Sequence, residues 1–457
     1  MVRIFAAWGV AVAAALPFPS RAERIFGDGF ETSKRACPAP EHFAAGLAPQ
    51  RRVHVSTAGS DAAGDGSPAR PYATLGRAAL DATPGTAIVI HAGQYSGGVF
   101  LSALRGTATA PIWIGGAPGE AAPLFHGGSN AIQLSRPAYL VLHDLAVRGA
   151  SANGVNIDDG GDYSNPLAAH HVAILRLDSR QIGSGGNQDC LKISGLRDFW
   201  VLQSHFERCG AGGSGIDLVG AHRGVIHGSR FVEVGASGVQ AKGGSSDIDI
   251  VNNRFENGGA RALNMGGSTG FEFFRPPLSV STPNAEARRI RALANLFVGS
   301  AQTPLAFVGC VDCVAAHNTI VDPGRWLVRI LQETVSSGGY VFEPARNGLL
   351  QNNLFVFRRA QVAATPINVG PNTEPGSFVW RHNLFYAWDQ PAQSNPSPPG
   401  TVEGSLIGLD PRLEGPDHRP APGSPAIAAG APYDPSLADL GGRCFAIPPS
   451  IGAWEAE

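Results

Sequence analysis

The sequence predicts an all-β parallel solenoid, and three observations carry that expectation. Gly and Pro supply 59 and 35 of the 457 residues, about a fifth, which argues against long helices. Hydrophobic residues reach 43% and charged residues only 16%, so a large core is available and wholesale disorder is excluded. The third observation is an internal repeat, the usual mark of stacked coils.

Taken from the N-terminus, the first element is a targeting segment. Residues 1–22 carry one early cation at Arg3, an apolar run from Ile4 to Leu16, and Ser20-Arg21-Ala22, with small residues where a signal peptidase reads. The run is shorter than the roughly 20 residues that span a bilayer, so a secretory signal peptide is expected and no membrane partner. Residues 23–50 read as a linker, 51–400 as the coils and 401–457 as a closing segment.

Within the coils, nine short segments share an apolar-polar-apolar pattern centred on Gln133, Asn156, Lys192, Asp217, Gln240, Asn264, Ala306, Arg329 and Asn368. Their centres are 23, 36, 25, 23, 24, 42, 23 and 39 residues apart, a period near 24 interrupted by insertions. Alternation of this kind is a strand with its flanking side chains buried and its central one facing outward. A second set places Asn two residues before a large apolar residue: Asn253, Asn295, Asn318, Asn353 and Asn383. An asparagine recurring at one station suggests a turn in which its amide bonds backbone, stacked coil on coil. One such coil cannot bury its apolar residues alone, whereas stacked coils form a continuous core and complete parallel ladders.

Three stretches resemble the secreted right-handed parallel β-helix proteins of the pectate-lyase-like superfamily. VHVSTAGSDAAGDGSPARPYATLGRAALDATPGTAIVIHAGQY at 53–95 is similar to their opening segment, and APGSPAIAAGAP with SIGAWE is similar to the closing segment of many bacterial members. The resemblance implies a right-handed β-helix with a short N-terminal capping helix, expected over Thr74 to Thr83, and an irregular C-terminal closing segment.

Six cysteines suit an oxidising compartment. Cys37 and Cys444 are placed to staple the two ends, Cys190 and Cys209 lie about one repeat apart, and Cys310 with Cys313 suits a local bridge or a turn. No second CxxC completes a zinc site. A formal charge of −2 gives no global field for nucleic acid, so no nucleic-acid partner is expected and the chain reads as a secreted monomer.

Of 35 basic residues 32 are Arg, and the lysines are Lys34, Lys192 and Lys242. In-register stacking puts Lys192 and Asp217 in the outward file, and Lys242 two residues beyond Gln240 on the same face. Lysine loses its proton far more readily than arginine, so these residues point to proton chemistry. Insertions fall at Asp159 to His171, Gly266 to Arg288, Gln332 to Asn347 and beyond Ile367, directly after members of the file, and suit the walls of a groove. The stretch Gly267 to Pro277 holds three Phe, suited either to stacking on sugar rings or to tucking under the coils.

Three chemistries suit that face. The first is β-elimination of an acidic, uronic-acid polysaccharide, which needs a base for the C5 proton and cations for the developing enolate. Lys242 is the base candidate, with Lys192, Asp217 and Arg261 in the same catalytic group, and Gln240, Asn264, Arg329, Asn156 and Asp189 as substrate-binding candidates. Several lyases of the superfamily use a Lys and an Arg about one coil apart, which Lys242 and Arg261 resemble. Their register sets Arg261 five positions from the Lys242 column, and Gly235, Ala236 and Ser237 stand where such lyases carry acidic metal ligands. Asp158, Asp159 and Asp162 form a separate carboxylate cluster suited to Ca²⁺.

The second chemistry is glycoside hydrolysis by a carboxyl pair, Asp189 and Asp217. Asn187-Gln188-Asp189-Cys190 partly resembles a polygalacturonase stretch and lacks its second Asp; His222 is a further acid/base candidate. The third reading is a non-catalytic glycan-binding or surface-structural β-helix. A C5-epimerase would be a variant of the first, and no DPHD-like motif is present.

Overall fold

The computed structural model describes residues 37–434 and 436–456; the expected signal peptide, the start of the expected linker and Lys34 lie outside the described residues. Each coil contributes one strand to each of three parallel sheets. The first runs from Arg51–Val55 to Thr401–Glu403, the second from Val99–Ser102 to Ile367–Val369, and the third from Gln94–Ser96 to Leu406–Ile407. Neighbouring strands within a sheet come from successive coils, which is why the repeat is visible as a sequence period.

The second sheet holds the outward file in register. Gln133 stands opposite Asn156, Asn156 opposite Lys192, Lys192 opposite Asp217, Asp217 opposite Gln240, Gln240 opposite Asn264, Asn264 opposite Ala306, Ala306 opposite Arg329 and Arg329 opposite Asn368. The file begins one coil earlier than the pattern indicates, at Phe100 opposite Gln133. Facing outward is not the same as meeting solvent: Asp217, Asn264 and Ala306 are buried.

Apolar flanks fill the interior. Phe206, Phe231, Phe255 and Phe297 stack face to face in consecutive coils, with centroids 5.2, 4.6 and 4.7 Å apart. The expected asparagines form a buried ladder at one corner. Asn295, for example, accepts at Oδ1 from the backbone N–H (2.9 Å) and amide (3.1 Å) of Asn253, and donates through Nδ2 to the carbonyl of Ile250 (2.8 Å) and to Asn318 Oδ1 (3.0 Å). Ser204 and Ser229 continue the ladder toward the N-terminus with hydroxyls in place of amides.

The capping helix is shorter than expected, Leu75–Ala79. The Thr74 hydroxyl caps it by accepting from the Arg77 N–H at 3.1 Å. Thr83 precedes Pro84 and is disfavoured in a helix, so the chain turns there and enters the next strand. The cysteines pair as Cys37–Cys444, Cys190–Cys209 and Cys310–Cys313. After Ile407 the chain makes the antiparallel pair Leu413–Glu414 and Arg419–Pro420, then runs back along the side of the coils. There Asn352 donates to the Ala431 carbonyl at 2.7 Å and Thr319 Oγ1 accepts from the Ala453 N–H at 2.9 Å. No helix among the described residues is long and apolar enough to cross a membrane.

Candidate functional site

Four consecutive coils, with strands Asn153–Asp158, Leu191–Ser194, Ser214–Val219 and Ser237–Lys242, build the most charged part of the second sheet. Ile216 and Leu218 anchor their strand in the core and turn Asp217 outward between Lys192 and Lys242. Asp217 is only 1% exposed; it accepts a charge-assisted hydrogen bond from Lys192 Nζ, and its other oxygen lies 3.3 Å from Lys242 Nζ with no further partner.

Asp189, also 1% exposed, stands at the corner before Lys192, with its carboxylate 3.5 Å from Lys192 Nζ. Its other oxygen accepts from the Ser214 N–H at 2.8 Å, and its own N–H donates to Asn153 at 3.1 Å. The neighbouring Cys190–Cys209 bridge pins this corner.

Two carboxylates and two lysines thus form one nearly sealed group. Burial, reinforced by the nearby Asp217 carboxylate, pushes Asp189 up to about 6, against the pull of Lys192, the Ser214 N–H and Lys242. Burial pulls the Lys192 ammonium down, but Asp217 and Asp189 outweigh it and hold its pKa above the ordinary lysine value. The side chains of Lys192 and Lys242 keep 23% and 14% of their exposure, so these two, and not the carboxylates beneath them, reach the cleft.

That cleft, of about 450 Å³, is bounded by Lys192, Lys242, Asn156, Tyr163, Thr269 and Phe273. Two of the expected insertions form its wall and are bolted together. Arg275, from the second, meets the Asp159 carboxylate with Nε at 2.7 Å and Nη2 at 3.1 Å, and its guanidinium lies 4.0 Å over the Tyr163 ring. Gly195 and Gly220, at φ +68° and +59°, make room: a Cβ there would fall 2.1 Å from Asp159 Oδ2 and 2.5 Å from Arg275 Cβ. His222 braces the same loop through Nε2 to the Arg275 carbonyl at 3.0 Å; burial pushes its pKa down to about 4, so it stands neutral beside the wall, outside the cleft lining.

A second bolt joins the insertion after Gly266 to the one after Gln332. Glu286 is buried and accepts from the N–H groups of Gly267 (2.8 Å) and Thr334 through its two oxygens. Burial pushes its pKa up to about 7. Next to it Glu333 accepts from Arg261 at 2.6 Å and from the Ser268 N–H at 3.1 Å.

The structure brings together Lys242, Lys192, Asp217 and Asp189, with Asn156 beside them, and separates others. Arg261 pairs in register with Ser237, five positions from Lys242, and is bound to Glu333, so it does not join the lysines. Asn264 is 2% exposed under that ion pair and has no route to a ligand, while Gln240 stays half-buried. Arg329 lies three coils past Asp217's neighbour Gln240 and bonds Asn368 and Gln302. The expected hydrolytic pair is sealed behind Lys192, which keeps both carboxylates from a glycosidic oxygen.

The expected Ca²⁺ cluster is dispersed. Asp159 is committed to Arg275, Asp158 accepts from Gln133 (2.9 Å), Asn156 (2.8 Å) and the Gly160 N–H (2.9 Å), and Asp162 accepts from Asn165 at 3.0 Å. Among the described residues no three acidic, His or Cys side chains are grouped as a metal site. This donor set does not suit Ca²⁺. The aromatic stretch divides its roles: Phe274 is buried against Phe342, whereas Phe273 is 43% exposed at the cleft. Sequence reasoning missed Arg275 and Glu286, whose partners lie on other loops and leave no periodic signal.

Comparison with known proteins fits this architecture. Residues 130–276 match the family model of a right handed beta helix region. The solved pectate lyase Pel9A is similar in structure at 15% identity, over 90% of this chain and 98% of its own, with a TM-score of 0.51. The lacto-N-biosidase of family GH136 from Eubacterium ramulus is similar at 16% identity, over 73% of this chain and 67% of its own, also at 0.51. No curated protein matches in sequence. The chain is a right-handed parallel β-helix, a fold it shares with the pectate lyase and the lacto-N-biosidase.

Proposed function

We propose that the protein is a secreted polysaccharide lyase that cleaves an acidic, uronic-acid polysaccharide by β-elimination. One observation carries this reading: Lys192 and Lys242, set among a chain of arginines, converge on a single buried carboxylate at the floor of one cleft. The wall beside them offers Phe273 as a stacking surface for a sugar ring.

In this reading the Lys242 amine takes the C5 proton. The electron pair of that C–H bond forms the C4–C5 double bond, the C4–O bond breaks, and the departing oxygen takes a proton from solvent. Lys192, kept charged by Asp217 and Asp189, neutralises the charge that develops on the sugar carboxylate. Asp217 holds both amines in place, and three disulfides suit work outside the cell.

The test is product formation on alginate, pectate and glycosaminoglycans. The parent protein is expected to release unsaturated ends that absorb in the ultraviolet. Lys242→Ala and Lys242→Arg are both expected to abolish them, since arginine keeps the charge and cannot act as base. Activity retained by Lys242→Arg removes Lys242 as the base. Reducing ends without absorbance favour a hydrolase, and tight binding with neither product favours a glycan-binding module.

A further inference from the structure

Along the same outward file, three coils beyond Gln240, stands a second cationic group. Trp326 carries the Arg325 guanidinium 4.2 Å and the Arg329 guanidinium 4.3 Å from its ring centre. Arg329 donates through Nε to Asn368 Oδ1 at 2.9 Å and through Nη1 to Gln302 Oε1 at 3.2 Å. Both partners are neutral amides. Among the described residues neither guanidinium forms an ion pair, whereas Arg261, the next arginine along this face, is neutralised by Glu333.

This arrangement differs from the ion pairs that tie most arginines to the surface, as in Arg223 with Asp198 or Arg289 with Asp247. An aromatic face holds a guanidinium without occupying its N–H groups. Nη2 of Arg329 and the fork of exposed Arg325 therefore remain as donors. Burial together with the charges of Arg261 and Arg325 outweighs the pull of Glu333 and disfavours the Arg329 cation, a cost that an arriving anion relieves.

We propose that Arg325, Trp326 and Arg329 form a remote subsite for an anionic group of a bound glycan, a sugar carboxylate or sulfate, read bidentately by the guanidinium forks. This rests on the acidic-polysaccharide reading for the identity of the ligand. Three coil spacings place the subsite roughly 14 Å along the solenoid axis from the lysine cleft, so the glycan runs along the stack and must be several sugars long to touch both. Arg261 and Glu333 stand between the two, and the glycan passes over that ion pair.

The test is equilibrium binding to Lys242→Ala protein, which keeps the ligand intact, with di- and hexasaccharides of galacturonate, mannuronate and heparin, and with cellohexaose as a neutral control. Adding Arg325→Gln or Arg329→Gln is expected to weaken the best acidic hexasaccharide roughly ten- to hundredfold and to leave the disaccharide unchanged. Uronate hexamers responding without heparin identify carboxylate, and the reverse identifies sulfate. Unchanged hexasaccharide binding, equal weakening of both lengths, or no acidic hexasaccharide binding to the parent overturns the proposal. Arg325 is exposed and makes no side-chain hydrogen bond among those described, so its variant retains the fold. If the arginine variants lose binding while Lys242→Arg still eliminates, the subsite stands and the assignment of the base falls; the opposite outcome rejects the subsite alone.

Discussion

Replacing Asp217 by Ala tests whether the lysine group is one electrostatic unit. The carboxylate is 1% exposed and serves two amines, so its loss leaves Lys192 with Asp189 alone at 3.5 Å and Lys242 with no acid among the ion pairs described. Removing one member of a buried pair costs about 3–5 kcal/mol. Both lysines keep some access to water in the cleft, which sets the expected loss at the lower end, about 3 kcal/mol. Denaturant unfolding with the disulfides oxidised measures it. A second variant, Asp217→Leu with Lys242→Met, removes the orphaned ammonium, keeps the Lys192–Asp189 pair and fills the space with apolar side chains, and it is expected to recover at least half of the loss. An Asp217→Ala protein as stable as the parent, or a double variant no better than the single, refutes the reasoning.

Asn318→Ala removes the ladder bonds from Asn295 to its Oδ1 and those from its Nδ2 to Ala292 and Asn353, and should cost about 3–4 kcal/mol in the same unfolding assay. Glu286 binds its proton more tightly in the fold than unfolded, about 7 against 4.5. Its effect is therefore absent below the unfolded value and becomes a loss of stability as pH rises through that window, roughly 3 kcal/mol in full. Glu286→Gln should flatten the fall in unfolding midpoint between pH 5 and 8, and an unchanged slope rejects this origin. Phe273→Ala should raise KM on the polysaccharide several-fold with kcat nearly constant, as expected for a stacking surface outside the reacting atoms.

The solenoid and the outward file were legible because parallel stacking turns spatial neighbours into a sequence period. Once Val155, Leu191, Ile216 and Val239 are aligned as inward residues, Asn156, Lys192, Asp217 and Gln240 must stack, and the register agrees position for position. The Asn ladder was legible for the same reason, since one station per coil repeats one backbone need.

What the chain pattern alone determined, then, is the coil and the convergence of two lysines with one aspartate. Only the tertiary structure decided which outward residues meet solvent. Asp217 and Asn264 carry the same strand signature as Asn156, yet they are buried, Asp217 beneath Lys192 and Lys242 and Asn264 beneath Arg261, which Glu333 from a distant loop holds in place. Likewise DDGGD reads as a cation cluster in one dimension and becomes a latch when Arg275, 116 residues away, takes Asp159. A periodic strand is governed by its own alternation and its next coil. An aperiodic loop is governed by partners at arbitrary separation, and no local pattern encodes those.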